Sequence, residues 1–186
     1  TQWAVHLAES LQVPVLVLSD QFMGQSRAVI DAAAAVTFAG TRQTAAAGTE
    51  NYRRYADSAS GVSPMAIPGT AGLAYTADGL EHNESGAPSS QAVDHHAQLA
   101  KRSRKLARAD YGPLWADVEG DGEIAVITLG SSTGPVREAL AAARERGVSA
   151  RMISIRLLAP ARPAEFASAL DGARRVLVVE QNGGAQ

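Results

Sequence analysis

Gly130-Ser131-Ser132-Thr133-Gly134 stands between an apolar run and a stretch of helical spacing, where free backbone N–H groups can hold an anion. Ser132 or Thr133 fits the helix cap and Pro135 its first position, so ligand binding and plain capping both suit the turn. It lacks the spaced glycines of a dinucleotide fingerprint and the Gly-Lys-Ser/Thr ending of a phosphate loop. His82, Asn83 and Glu84 form a second polar group, in a glycine-rich stretch. His95 and His96 are neighbours at helical spacing, do not share a face, and are poorly placed to grip one metal. There is no His-Glu-x-x-His, no cysteine and no Gly-x-Ser-x-Gly, which removes the usual zinc and serine-hydrolase signatures. No nucleophile, base and orienting group can be recognised together.

With 186 residues, 46% hydrophobic and 19% charged, the chain should bury a core. A net charge of -2 gives no general attraction to nucleic acid or anionic membranes. Without cysteine, neither a disulfide nor a cysteine-held iron–sulfur cluster can form within the chain, so an electron-transfer cluster would sit on a partner. No apolar run approaches the roughly 20 residues that span a bilayer. The start at Thr1 has neither an initiator methionine nor a basic signal region, and the expectation is a fragment of a cytoplasmic protein.

Trp3, Leu7 and Leu11 share a helical stripe over residues 2–11. Val13 to Leu18 has the composition of a strand buried on both faces of a parallel sheet. It ends at Ser19-Asp20-Gln21, where either a ligand-facing strand end or a plain exposed loop is consistent. Residues 38–91 lack periodicity and carry many glycines and prolines, yet Val62, Met65, Ile67, Leu73, Tyr75 and Leu80 recur among them, which suits an ordered connector. Residues 91–109 regain helical spacing, with Ala92, His96, Leu99, Ser103 and Leu106 on one stripe. Lys101, Arg102, Arg104, Lys105 and Arg108 are read either as a solvated helix end or as a partner-facing basic surface. From residue 121 the pattern is strand, helix, strand, helix, strand: Ile124–Leu129, 136–146, 148–155, 163–170 and 176–179. That order predicts a parallel sheet with right-handed crossovers.

Three stretches resemble one family, the alpha subunits of 2-oxoacid:ferredoxin oxidoreductases. Residues 7–20 look like the end of its pyrimidine-binding domain. Gly61-Val-Ser-Pro-Met-Ala-Ile-Pro-Gly69, Gly79-Leu-Glu-His-Asn-Glu-Ser-Gly86 and Lys101-Arg-x-Arg-Lys105 resemble its connector and helix. Gly130-Ser-x-Thr-Gly134, Leu158-x-Pro160 and Glu180-x-Asn182 with Gln186 resemble its transketolase-C-terminal-like domain. Met65 replaces the family's arginine, and Ala185 replaces a glycine. Gly120-Asp121-Gly122 imitates the magnesium motif of thiamine-diphosphate enzymes. None of Asn51, Asn83 and Asn182 stands where that motif needs its asparagine, and the motif is read as a turn.

The resemblance implies an α/β fold: a parallel-sheet transketolase-C-terminal-like βαβαβ domain over 120–186. An ordered connector over 38–119 precedes it, after the end of a thiamine-diphosphate-binding α/β domain over 1–37. It implies oxidative decarboxylation of a 2-oxoacid, with 2-oxoglutarate preferred, to acyl-CoA with reduction of ferredoxin. Thiamine diphosphate, magnesium and an iron–sulfur cluster would be held mainly by a beta subunit. No catalytic residue of the family maps onto this sequence, so the piece would shape the active-site cleft and subunit interface, with His82, Glu84, Ser132 and Thr133 as candidates. A C-terminal domain of another thiamine-diphosphate enzyme and a non-catalytic anion-binding α/β module are the alternatives.

Overall fold

The computed structural model describes residues 1–181. The Asn182, Ala185 and Gln186 positions of the resemblance lie outside them. The chain divides into two compact units, one of residues 1–17 with 32–109, the other of residues 18–31 with 110–186. The packing therefore does not cut at 37 and 119. The connector joins the first helix in one unit, and residues 110–119 join the C-terminal sheet.

In the first unit, helix α1 (Gln2–Leu11) buries Leu7 and ends where Gln12 turns left-handed at φ 51°. Helix α3 (Ala92–Arg108) is the only long regular element beside it among the described residues. Between them the connector has two isolated bridges, Thr44 with Met65 and His82 with Pro88. Its order comes instead from tight turns and from side chains reaching its carbonyls.

The apolar stripe expected on α3 is not its packed face. Leu99 is 42% exposed, whereas Gln98 and Lys101 are 6% and 7% exposed. The reason is the neighbour's chemistry. A connector without a ladder presents unpaired carbonyls, and a face of donors satisfies them where leucine cannot. Gly61 allows the close approach: at φ +79°, a Cβ there would lie 2.7 Å from the Lys101 carbonyl oxygen and 2.8 Å from Lys105 Cβ.

In the second unit, strands β1 (Ala116–Glu119), β2 (Ile124–Leu129), β3 (Ala150–Ile155) and β4 (Arg175–Val179) form one sheet in the order β1-β3-β2-β4. β2 pairs parallel with both β3 and β4, while β1 adds an antiparallel edge on β3. The βαβαβ reading thus holds, and β1 is an addition that its short Ala-Asp-Val-Glu sequence does not announce. Helices α4 (Thr133–Glu145) and α5 (Pro163–Ala169) connect the parallel strands. Val136 and Leu140 of α4 pack on Val126 and Met152. Phe166 and Leu170 pack on Ala125, Ile127 and Ile153. Alternation along β2 assigns these clusters to opposite faces of the sheet.

Val13 to Leu18 is not a strand. Leu16, Val17 and Leu18 are 85%, 61% and 71% exposed, and the run pairs with nothing among the described residues. Strand composition cannot make a strand without a partner to bond. Helix α2 (Gln21–Gln25) follows, capped by the Asp20 carboxylate, which accepts from the Met23 N–H at 2.8 Å.

Ile153 is fully buried between α5 and the sheet. Ile153→Ala is expected to cost about 3–4 kcal/mol, read as a lowered urea midpoint of the C-terminal unit at unchanged slope.

Candidate functional site

The strand order reverses at β2. From it one crossover leads to β3 and the next returns past it to β4, so the carboxyl end of β2 is a topological switch point. There the Gly130–Ser132 turn leads directly into α4. The two hydroxyls singled out from the sequence face inward. Ser132 is 8% exposed; its Oγ donates to the Leu129 carbonyl at 2.7 Å and lies 2.5 Å from Thr128 Oγ1. Thr133 Oγ1 lies 2.9 Å from Ser154 Oγ. Both tie the turn to strand ends rather than offering it to a ligand.

Ser131 takes the outward position. Its hydroxyl donates to the Asp20 carboxylate and accepts from Gln181 Nε2 at 3.0 Å. Asp20 is held below the ordinary carboxylate range, first by the Met23 N–H, then by the Ser131 hydroxyl, with a smaller contribution from the Ser131 N–H. The anion that this turn favours is thus supplied by the chain's own carboxylate. Sequence spacing flagged Asp20 and the turn separately, and an Asp three residues before Met23 is a recognisable cap. Their junction, across more than a hundred residues, had no sequence signal.

In the first unit the polar group around residues 82–84 is drawn inward. His82 is 4% exposed and stacks on Tyr55, with ring centroids 4.5 Å apart and planes at 2°. Its Nε2 lies 3.2 Å from Asp78 Oδ1 but out of line for a hydrogen bond. The misalignment leaves the imidazole held mainly by stacking. Glu84 accepts from the Asp57 N–H at 3.0 Å and lies 3.5 Å from Arg53. Tyr55 is the shared support: its carbonyl oxygen accepts from Gln98 at 3.0 Å and from Lys101 Nζ at 2.9 Å.

The five cations of α3 all reach this connector or the end of α1. Lys105 donates to the Gln12 carbonyl at 3.2 Å, Arg104 to the Ser58 carbonyl at 3.0 Å and Arg108 to the Ala59 carbonyl at 2.8 Å. Arg102 grips Glu81 with both terminal nitrogens at 3.0 and 2.8 Å, and His95 adds a contact at 2.9 Å. The helix engages its cations within its own unit, while Arg102 and Arg108 stay exposed. Connector carbonyls and carboxylates lie within reach of these charges.

The Gly120-Asp121-Gly122 turn has a packing role. A Cβ at Gly122 would lie 2.4 Å from the Ala150 nitrogen, and the Asp121 and Gly122 carbonyls accept from Arg151 at 3.3 and 2.8 Å. Among the described residues no three His, Cys, Asp or Glu gather where they could hold a metal ion. A cysteine-free chain does not fit a thiolate-held cluster.

A doubly connected α/β sheet with a helix-supported connector defines the class, and comparison with known proteins places it. Residues 122–186 match the family described as pyruvate:ferredoxin oxidoreductase core domain II. Subunit alpha of 2-oxoacid:ferredoxin oxidoreductase 2 from Aeropyrum pernix is 32% identical over 96% of this chain and 29% of its own length. The 2-oxoglutarate synthase subunit KorA of Methanothermobacter thermautotrophicus is 30% identical over 96% of this chain and 48% of its own. A solved 2-oxoglutarate:ferredoxin oxidoreductase from Magnetococcus marinus, with 2-oxoglutarate, coenzyme A and succinyl-CoA bound, superposes with a TM-score of 0.82 at 31% identity. It covers 97% of this chain and 32% of that one. Along nearly its whole length the chain is similar to part of the alpha subunits of 2-oxoacid:ferredoxin oxidoreductases, and it spans less than half the length of these relatives.

Arg102 and His95 hold the Glu81 carboxyl at about 2, the Arg102 hydrogen bonds contributing most. A depressed carboxylate stabilises the fold fully above its unfolded value near 4.5 and progressively less as pH falls toward 2. Glu81→Gln should flatten that acid limb and cost about 1 kcal/mol at pH 7, the ion pair being partly exposed; acid titration of both proteins by circular dichroism checks this. Asp20→Ala should release residues 18–31 from the switch-point turn. Tryptic cleavage after Arg27 is expected to accelerate severalfold while the sheet remains intact.

Proposed function

We propose that the full-length subunit containing this chain acts with a beta subunit as a CoA-acylating 2-oxoacid:ferredoxin oxidoreductase in the cytoplasm, with 2-oxoglutarate as its acid. The likeness over 97% of the chain to the Magnetococcus marinus enzyme carries this reading. The 2-oxoglutarate named for that enzyme and for the Methanothermobacter subunit favours the substrate. In the reaction the bond between the carboxylate and the oxo carbon breaks, carbon dioxide leaves, and the acyl group passes to the coenzyme A sulfur. Both electrons go to ferredoxin and the thiol proton to solvent. Thiamine diphosphate supplies the carbanion chemistry when bound. It, magnesium and the iron–sulfur cluster are assigned mainly to the beta subunit, a reading that the absence of cysteine from this segment supports for the cluster.

The role of this segment is to shape the cleft and subunit interface. His82 and Glu84 act at a distance by fixing the connector path through Tyr55 and Asp57. Ser132 and Thr133 fix the switch-point turn through strands β2 and β3. These four are positioning residues, and none of them touches a reacting atom in this reading.

The test uses the full-length subunit co-expressed with its beta subunit. Viologen reduction is expected with 2-oxoglutarate and to vanish without coenzyme A or thiamine diphosphate. A soluble, cluster-loaded complex that reduces no dye with any 2-oxoacid would refute the assignment. In the same complex, the double substitution His82→Ala with Glu84→Gln should weaken subunit association about tenfold, or about 1.4 kcal/mol, by analytical ultracentrifugation. Unchanged association and kinetics would confine both residues to local loop stability.

A further inference from the structure

The chain has only two lysines, Lys101 and Lys105, against fifteen arginines, and both stand on the face of α3 that covers the connector. Lys101 is 7% exposed. Its ammonium group meets a backbone carbonyl, that of Tyr55, rather than a carboxylate. The charged groups around it are Arg54, Asp57 and Glu84 from the connector and Lys105 from its own helix. Both carboxylates are already engaged. Asp57 is paired with Arg104, and Glu84 lies beside Arg53 and accepts the Asp57 N–H. Arg54 in turn is held by Gln12 Oε1 at 2.7 Å and lies over the Tyr55 ring, 5.7 Å from its centroid; His82 also stacks on that ring. Five cations (Arg53, Arg54, Lys101, Arg104, Lys105) thus surround two carboxylates in a half-buried place.

Such an excess of positive charge favours loss of a proton, and only a lysine can supply it, because arginine keeps its charge throughout this range. A neutral Lys101 amine still donates to the Tyr55 carbonyl. We propose that opening the 52–66 segment of the connector takes up a proton at Lys101, so that the connector becomes more ordered as pH rises above neutral. The inference does not rest on the proposed enzymatic activity.

Burial, with Arg54 next, lowers Lys101 from 10.5 to about 8. Between those values the open form binds more protons than the closed one, so closing gains with pH; below about 8 both forms are protonated and the gain fades. Hydrogen exchange of the full-length subunit, followed by mass spectrometry and corrected for the intrinsic pH dependence of exchange, tests the proposal. Protection of peptides spanning 52–66 should rise about tenfold from pH 7 to pH 9. Lys101→Arg, which keeps the donor and cannot titrate, should remove most of the rise; Lys105, also lowered by burial, supplies the smaller remainder, so Lys105→Arg should leave most of it. Lys101→Met, which removes the titrating group together with its bond to the Tyr55 carbonyl, should likewise lose most of the pH dependence. Wild-type protection that is flat or falling, or a rise that survives undiminished in Lys101→Arg, would overturn the proposal; if Lys101→Met fails to fold, the arginine variant alone decides.

Discussion

The N-terminal unit depends on one pairing, the cations of α3 against the carbonyl oxygens of a connector that has almost no backbone ladder of its own. A segment rich in glycine and proline can follow an irregular path, but its buried carbonyls must still be satisfied. Lys101, Arg104, Lys105 and Arg108 do this at Tyr55, Ser58, Gln12 and Ala59. The helix therefore packs with a polar face inward and leaves Leu99 largely in water. Desolvating an ammonium group opposes this arrangement, and the lowered titration of Lys101 records that opposition. The aromatic stack of Tyr55 and His82 carries the same order outward to the 78–88 turn.

The C-terminal unit meets the complementary requirement with the opposite sign. At the switch point a turn enters a helix, and its outward Ser131 hydroxyl donates to a carboxylate, Asp20, which also caps α2 at the Met23 N–H. In many α/β proteins this place receives a ligand. Here Ser131 and Gln181 complete a junction that binds residues 18–31 to the sheet, and the inward hydroxyls of Ser132 and Thr133 stiffen the turn from below. This junction accompanies small cores on the two faces of the sheet: Ala125, Ile127 and Ile153 on one, Val126, Val136 and Met152 on the other.

Most buried side-chain polar groups of this segment are paired within it; among the described residues His82 Nε2 and Arg162 Nε are exceptions. The glycines of its Gly-Asp-Gly turn serve close packing against β3. Its exposed large apolar side chains include Leu16 to Leu18, Phe22 and Met23, Val29, Ile30 and Val36, and Val176 to Val178 of β4. Part of an alpha subunit whose relatives are at least twice as long is expected to show such surfaces.

The sequence by itself determined everything that follows from local periodicity and turn chemistry. It gave the α1 and α3 helices, the βαβαβ order from Ile124 to Val179, the turn at Gly120–Gly122 and the family resemblance carried by the connector motifs. Val13 to Leu18 shows the limit of that reasoning, because strand composition becomes a strand only beside a partner. The direction of α3 shows it again. Apolar periodicity marked one face, and the carbonyls of a segment some forty residues away selected another. Asp20 with Ser131, and Tyr55 with His82 and Lys101, could be assigned only by the tertiary structure. Each of these contacts joins groups distant along the chain, and which donor meets which acceptor is settled by the closing of the fold rather than by any spacing along the chain.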